Sequence, residues 1–390
     1  MKTDAVMVGW SHTQFGKSDA PDVEALIAEV GSAALEHAGV DPSAVDFASV
    51  GVLNNGFSKQ GFEAGLISVA IPGLEHTPAL RTENACATGS AALYSAVDFI
   101  ESGRGNIALV IGAEKMTATS NAEIGEILLS ASYRKEEAEV EGGFAGIFAQ
   151  IAQSYFQKYG NRSEEMAMIA AKNHANGIHN PFAHMRRDFG FDFCNKISDK
   201  NPLVAGPLRR TDCSLVSDGA AAIVITNRET ARDLERAIGF RARANKNDVF
   251  PLSRRDMTAF EGAHLAWHQA KEMASIDLKA LDFVETHDCF TIAEMIEYEA
   301  MGLTARGEGW KAAREGLTRK DGILPVNPSG GLKSKGHPIG ATGVSMHIMA
   351  AMQLMGEAGD MQIQDAELGA VFNMGGAAVS NYVSILERVQ

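Results

Sequence analysis

Four short segments carry residue types that can do chemistry. Cys86 stands in Glu83-Asn84-Ala85-Cys86-Ala87-Thr88-Gly89-Ser90, directly before an Ala-rich stretch with helical spacing. A cysteine at a helix N-terminus meets the positive end of the macrodipole, which lowers its pKa and favours the nucleophilic thiolate. A lone cysteine is also commonly a small buried hydrophobe, so its type alone does not decide. His337 lies in Gly330-Gly331-Leu332-Lys333-Ser334-Lys335-Gly336-His337-Pro338-Ile339-Gly340-Ala341-Thr342-Gly343. Five glycines and a proline in fourteen residues predict a loop, neither helix nor strand, whose backbone makes close approaches. Its spacing is not that of a phosphate-binding P-loop. His287-Asp288-Cys289-Phe290 follows a predicted strand, where α/β proteins present functional side chains. A histidine and a cysteine two residues apart can ligate a metal, but no second pair at zinc spacing accompanies them, so no metal is expected. Phe372-Asn373-Met374-Gly375-Gly376-Ala377-Ala378 ends a predicted strand in a glycine turn. Its N–H groups, that of Gly375 among them, can serve an oxyanion hole, and the plainer reading is a turn between strands.

The elements that must position these residues follow from periodicity. Short β-branched runs alternate with Ala-rich helical stretches, the pattern of an α/β protein. Strands are predicted over Ala5–Val8, Phe47–Leu53, Ile107–Ile111, Ala221–Thr226, Phe240–Ala244, Phe283–Thr286, Gly369–Phe372 and Val379–Leu386. Helices are predicted over Val23–His37, Thr88–Glu101, Glu164–Asn176, Phe260–Met273, Thr291–Met301 and Thr342–Met355.

Two blocks repeat in the same order. Ala38-Gly39-Val40-Asp41-Pro42-Ser43-Ala44-Val45-Asp46-Phe47 aligns without a gap on Ala274-Ser275-Ile276-Asp277-Leu278-Lys279-Ala280-Leu281-Asp282-Phe283, and Ala87-Thr88-Gly89 aligns on Ala341-Thr342-Gly343. In each copy a helix ends, an acidic turn follows and a strand begins, which indicates a duplication. The repeat puts Cys86 and His337 before equivalent helices, so the two can converge as a Cys–His pair. Residues 116–211 have no counterpart in the second half and form an insertion of the kind that makes a lid or binding subdomain. The expected division is 1–115 and 212–245 for the first half, 116–211 for the inserted loop domain, and 246–390 for the second half.

With 390 residues the chain suggests two to three domains and can bury a large core. A net charge of −14 disfavours nucleic acid and anionic lipid as partners. No apolar run approaches the ~18 residues of a membrane helix. Four cysteines without C-x-x-C spacing, an N-terminus without an apolar signal and an end without Ser-Lys-Leu make the cytosol the default.

These segments together resemble the thiolase superfamily over the full chain. Asn327-Pro328-Ser329-Gly330-Gly331-Leu332 through Gly343 is a long family motif, and Cys86 with its following Thr-Gly-Ser matches the acyl-accepting segment. Ser217-Asp218-Gly219-Ala220-Ala221-Ala222 matches the family's Asp-Gly-Ala segment, read there as helix. His287-Asp288-Cys289-Phe290 in place of Asn-Glu-Ala-Phe, and Asn373 in place of a second catalytic cysteine, resemble the sterol carrier protein-type branch. A ketoacyl synthase would instead show a Cys-His-His set. The resemblance implies a duplicated five-layer αβαβα fold with an inserted loop domain. It implies thiolysis of a 3-oxoacyl-CoA, or the reverse condensation, through a Cys86 acyl-enzyme. His337 would take the thiol proton, Cys289 would move the α-proton, His287 and His337 would hold the enolate, and the N–H groups of Cys86 and Gly375 would form the oxyanion hole. Coenzyme A would be a co-substrate, with no permanently bound cofactor. Arg186, Arg187, Arg209 and Arg210 are the candidates for its phosphates. A homodimer is implied; the competing readings are a thiolase-fold retro-aldolase, or a non-catalytic subunit, acting with a small OB-fold partner.

Overall fold

The computed structural model describes residues 3–389. Its strands are β1 Ala5–His12, β2 Phe47–Gly51, β3 Ala79–Thr82, β4 Ile107–Glu114, β5 Leu203–Ala205, β6 Leu208–Arg209, β7 Gly219–Asn227, β8 Ile238–Asn247, β9 Phe283–Glu285, β10 Leu368–Gly375 and β11 Ser380–Arg388. Nine of them form one sheet in the order β3-β2-β4-β7-β1-β8-β11-β10-β9, while β5 and β6 form a separate hairpin. The two halves meet where β1 and β8 pair over only Val6↔Gly239 and Met7↔Ile238.

Outward from that seam the two halves run in the same order. β1-β7-β4-β2-β3 mirrors β8-β11-β10-β9, and the place of β3 in the second half is taken by a single parallel bridge from Val284 to Val326. The repeated turn is structurally equivalent in both copies: 3-10 turns at Pro42–Ala44 and Leu278–Ala280 lead into β2 and β9.

Strands of the first half are buried on both faces. Val6, Val8, Leu109, Ile111, Ala222 and Val224 pack with the Val23–Ala38 helix, whereas Ala5, Met7, Ala108, Val110, Ala221 and Ile223 belong to the opposite core. That core holds the two central helices, Thr88–Glu101 and Ile339–Met355. The Glu261–Ala274 helix covers β8 and β11, with Trp267 against Phe372. The layers are thus helix, half-sheet, paired helices, half-sheet, helix. Gly89 and Gly343 let the central helices touch backbone to backbone. A Cβ on Gly89 would meet Val344 N at 2.7 Å, and one on Gly343 would meet Ser90 N at 2.2 Å.

Several expectations are corrected. The helix reading attached to Ser217–Ala222 does not hold: Gly219 opens strand β7, which contains the strand expected over Ala221–Thr226, and its apolar residues alternate between two cores. The glycine segment is partly helical. Gly331–Lys335 forms a short helix, and the next helix starts at Ile339 instead of Thr342. Helix Gly143–Tyr159 in the insertion was hidden behind Gly142-Gly143, yet it buries Phe144, Ile147, Phe148, Ile151 and Tyr155 at helical spacing. β3 escaped notice because it shows no alternation, with Ala79 and Leu80 both exposed.

Candidate active site

The nucleophile turn follows β3. Ala85 holds φ +48°, an uncommon conformation for a residue with a side chain. The turn is held by the Asn84 N–H on Thr88 Oγ1 at 2.8 Å, Thr88 Oγ1 donating to Ala85 O at 2.6 Å, and Asn84 Nδ2 donating to Ser380 and Tyr382 at 2.9 Å each. Cys86 then emerges just before the first central helix.

The His337 segment is anchored by two buried carboxyl groups. Asp288 accepts from the N–H groups of Leu332 at 2.6 Å and Lys333 at 3.1 Å, and from Asn173 Nδ2 at 2.7 Å. A Cβ at Gly331, whose φ is +58°, would lie 2.3 Å from that carboxylate, so glycine is required there on two counts. Glu114 accepts from Leu53, Asn54 and Gly340 N–H groups at 2.9, 3.0 and 3.0 Å. Burial pushes both acids up to about 7. Asp288 therefore ties the His-Asp-Cys-Phe segment to the glycine segment, a role its sequence position did not reveal.

These anchors bring Cys86, His287 and His337 together, with Sγ and one ring nitrogen from each histidine all within 4.8 Å of one another. The two imidazoles lie 5.1 Å apart at 82°. A cavity of about 170 Å³ is lined by Cys86, Cys289 and His337, with Met116, Phe144 and Phe290 among its apolar walls. Cys213, overlooked in the sequence, lines it as well. A larger groove of about 770 Å³ between Arg241 and Glu367 has no cysteine, histidine or serine in its lining. The structure thus contains the Cys-His-His set expected of ketoacyl synthases, with Cys289 added to it.

The electrostatics reverse the thiolate expectation. Burial pushes the Cys86 thiol up to about 12, opposed by the Gly376 N–H and reinforced by Glu83 and Glu114. His337 is lowered to about 3 by burial and then by Lys335, and His287 is lowered well below its ordinary value by burial and then by His337. Burial, then Cys86, holds the Cys289 thiol well above its ordinary value. The resting site therefore holds neutral thiols and neutral imidazoles. Gly375 ends β10 beside Asn84 O, but the N–H in contact with Cys86 belongs to its neighbour Gly376.

Hydrogen bonds assign the His337 tautomer. Thr342 Oγ1 donates to Pro338 O at 2.9 Å, so His337 Nδ1, 2.6 Å from that hydroxyl, is the donor and Nε2 carries the lone pair. The Nε2 atoms of His287 and His337 are buried and find no partner among the described residues. A metal would need lone pairs on both, whereas His287 Nδ1 faces the Asn373 amide nitrogen at 2.8 Å. That contact puts the His287 proton on Nε2, so the trio does not suit a metal.

Of the arginine candidates, Arg209 is excluded: it is buried against Asp212 at 2.7 Å and also bonds Asn195 and Ser163. Arg186 is exposed and bonds Ile178 O. Arg187 and Arg210 line a cavity of about 310 Å³ with Lys200, the buried Lys333, His174 and Phe189. Leu215 lines both this cavity and that of Cys86.

The class that this fold and site define is confirmed by comparison. Residues 5–188 match the family described as "Thiolase, N-terminal domain" and residues 244–388 match "Thiolase C-terminal domain-like". The chain is 36% identical over 388 residues to the acetyl-CoA acetyltransferase of Methanothermobacter thermautotrophicus, covering 99% of this chain and 100% of that one. It is 31% identical over 393 residues to sterol carrier protein 2 of Oryctolagus cuniculus, covering 96% of this chain and 70% of the relative. In fold it is similar to the solved structure titled "Ltp2-ChsH2(DUF35) aldolase", with a TM-score of 0.85 at 21% identity, covering 99% and 98% of the two chains. The chain belongs to the thiolase family and is an acyltransferase. Among the described residues no helix is long and apolar enough to cross a membrane.

Proposed function

We propose that the protein cleaves a 3-oxoacyl-CoA with free CoA, or runs the reverse Claisen condensation, through an acyl group carried on Cys86. The observation that carries this reading is the convergence of Cys86, His287 and His337 beside a cavity that Cys289 also lines. His337 Nε2, bare in the resting site, takes the thiol proton as Cys86 attacks the 3-oxo carbonyl. The N–H groups of Cys86 and Gly375 hold the oxyanion, with the Gly376 N–H steadying the sulfur. Cleavage of the carbon–carbon bond releases an enolate, whose oxygen meets His287 Nε2–H and the now protonated His337. Cys289 delivers the proton to carbon. The thiol of CoA gives its proton to the Cys289 thiolate as it attacks the Cys86 thioester, and His337 returns its proton to the departing Cys86 sulfur.

CoA is read as a co-substrate, without a permanently bound cofactor. Its phosphates are assigned to Arg187, Lys200, Arg210 and Lys333, which gather positive charge next to the thiol cavity in an acidic chain. The inserted loop domain 116–211 supplies most of these residues, and the two halves that meet at the β1–β8 seam supply the catalytic segments. A homodimer forms through the open edge of β3, and the cytosol is the proposed compartment. A panel of 3-oxoacyl-CoA substrates assayed with and without CoA tests the function, and cleavage is expected only when CoA is present. Cleavage without CoA would favour the second reading, a retro-aldolase working with a small OB-fold partner. The fold likeness to the Ltp2-ChsH2(DUF35) aldolase keeps that reading open to test, while the intact Cys–His set weighs against it.

A further inference from the structure

We infer that Asn373 is a positioning residue that locks His287 in the Nε2–H tautomer, so that the two histidines of the site present opposite faces, one a donor and one an acceptor. Asn373 lies in β10, in the row that faces the central helices, and is buried. Its Oδ1 accepts from Ser90 Oγ at 2.7 Å, and its Nδ2 faces Cys86 O at 3.1 Å and His287 Nδ1 at 2.8 Å.

The amide orientation is not free. Ser90 accepts or donates equally well and does not decide it, but the Cys86 carbonyl has no hydrogen and can only accept. Turning the amide over would set two acceptor oxygens against each other at about that same 3.1 Å in a dry interior, which is costly. The nitrogen therefore faces Cys86 O and His287 together. An amide nitrogen offers hydrogens and no lone pair, so His287 Nδ1 must accept, and the imidazole proton resides on Nε2. His337 has the opposite arrangement, since its Nδ1 donates to Thr342 and its Nε2 is bare. One fork thus couples the backbone of the nucleophile to the protonation pattern of the enolate-binding histidine. The catalytic consequence rests on the thiolase reading above. The tautomer does not, because it follows from the hydrogen bonds alone.

The test reads the tautomer directly. In protein carrying ¹⁵N-histidine, with the His287 signals identified by their loss in His287→Asn, the two ring-nitrogen shifts are measured without substrate. Wild type is expected to show a protonated Nε2 and an unprotonated Nδ1. A protonated Nδ1 in wild type would overturn the proposal whether or not any variant folds. In Asn373→Asp the carboxylate accepts from Nδ1, so the pattern should reverse or His287 should titrate near neutrality. An unchanged pattern in that variant would also overturn it. Thiolysis by Asn373→Asp should fall about 10²–10⁴-fold, the range of a lost acid–base group or a wrong tautomer. If wild type shows the expected tautomer and no CoA-dependent cleavage, the lock stands and the thiolase reading falls.

Discussion

At the scale of single residues, the two cysteines divide the proposed reaction between them. Cys86 carries the acyl group, and Cys289 only moves a proton to or from carbon. In Cys86→Ala, incubation with acetyl-CoA should leave no acyl adduct in the intact-protein mass spectrum. In Cys289→Ala the adduct should form while turnover drops ~10²-fold or more. Full turnover by Cys289→Ala would hand the proton transfer to another group. The second residue-scale expectation concerns pH. With Cys86 pushed up to about 12 and His337 lowered to about 3, neither is charged between roughly pH 5 and 10. Only the thiolate reacts with iodoacetamide, so alkylation of Cys86 in the free enzyme should climb about tenfold per pH unit from 7 to 10. A plateau beginning near pH 6 would instead reveal a thiolate–imidazolium pair. His337 is thus needed as a base at the moment of attack, because no standing ion pair has already removed the proton.

At the scale of elements, the crossing of the central helices aligns the site. Cys86 precedes the Thr88–Glu101 helix and His337 precedes the Ile339–Met355 helix. Their contact is made where Gly343 lies against Ser90 N and Asn373 Oδ1, 2.2 and 2.5 Å from where a Cβ would sit. A methyl group there meets the Ser90 backbone nitrogen, which no side-chain rotation can move aside. Gly343→Ala should therefore cost about 1–3 kcal/mol in urea unfolding, the usual scale of overpacking. Adduct formation on Cys86 should slow in the same variant, since the helices can separate only by parting the two catalytic segments. Unchanged stability together with normal acylation would show that the crossing is softer than this contact implies.

At the scale of the whole molecule, the first half ends in an open sheet edge. β3 has no neighbour on its outer side among the described strands, and Leu80 on it is 47% exposed. Phe62 at 81% and Val69 at 70%, flanking and within the adjoining Glu63–Ala70 helix, add large apolar surface. A bare edge beside exposed apolar residues is an aggregation hazard unless a partner covers it. A second copy pairing across β3 would cover it and brace the turn that follows, which carries Cys86. Sedimentation at micromolar concentration should show a dimer, and Leu80→Lys with Phe62→Glu should shift it to monomer. A wild-type monomer would remove the dimer from the proposal.

How much of this was legible without coordinates differs by level. The eight strands and six helices anticipated from periodicity all occur, because alternating and helical patterns report burial on one or two faces, a local property of the chain. The duplication was legible for the same reason: the turns at Pro42–Ala44 and Leu278–Ala280 fall at the same positions of an ungapped alignment. The sequence by itself also marked Cys86, His287, Cys289 and His337, since their types and settings survive without coordinates. It misread what depends on surroundings. The helix-dipole argument favoured a Cys86 thiolate, but desolvation, the orientation of Glu83 and the approach of Glu114 from a segment distant in sequence are set by the fold. Arg209 stood among four candidates for the phosphates, and only the fold shows that Asp212 holds it in the interior. Asn373 stood out only as a departure from a family cysteine. Its role depends on the Cys86–Ser90 segment and His287, two parts of the chain far from it in sequence, lying within hydrogen-bond reach. Residue type and periodicity are local and written along the chain, whereas pKa, amide orientation and tautomer are set by neighbours that only tertiary packing brings close.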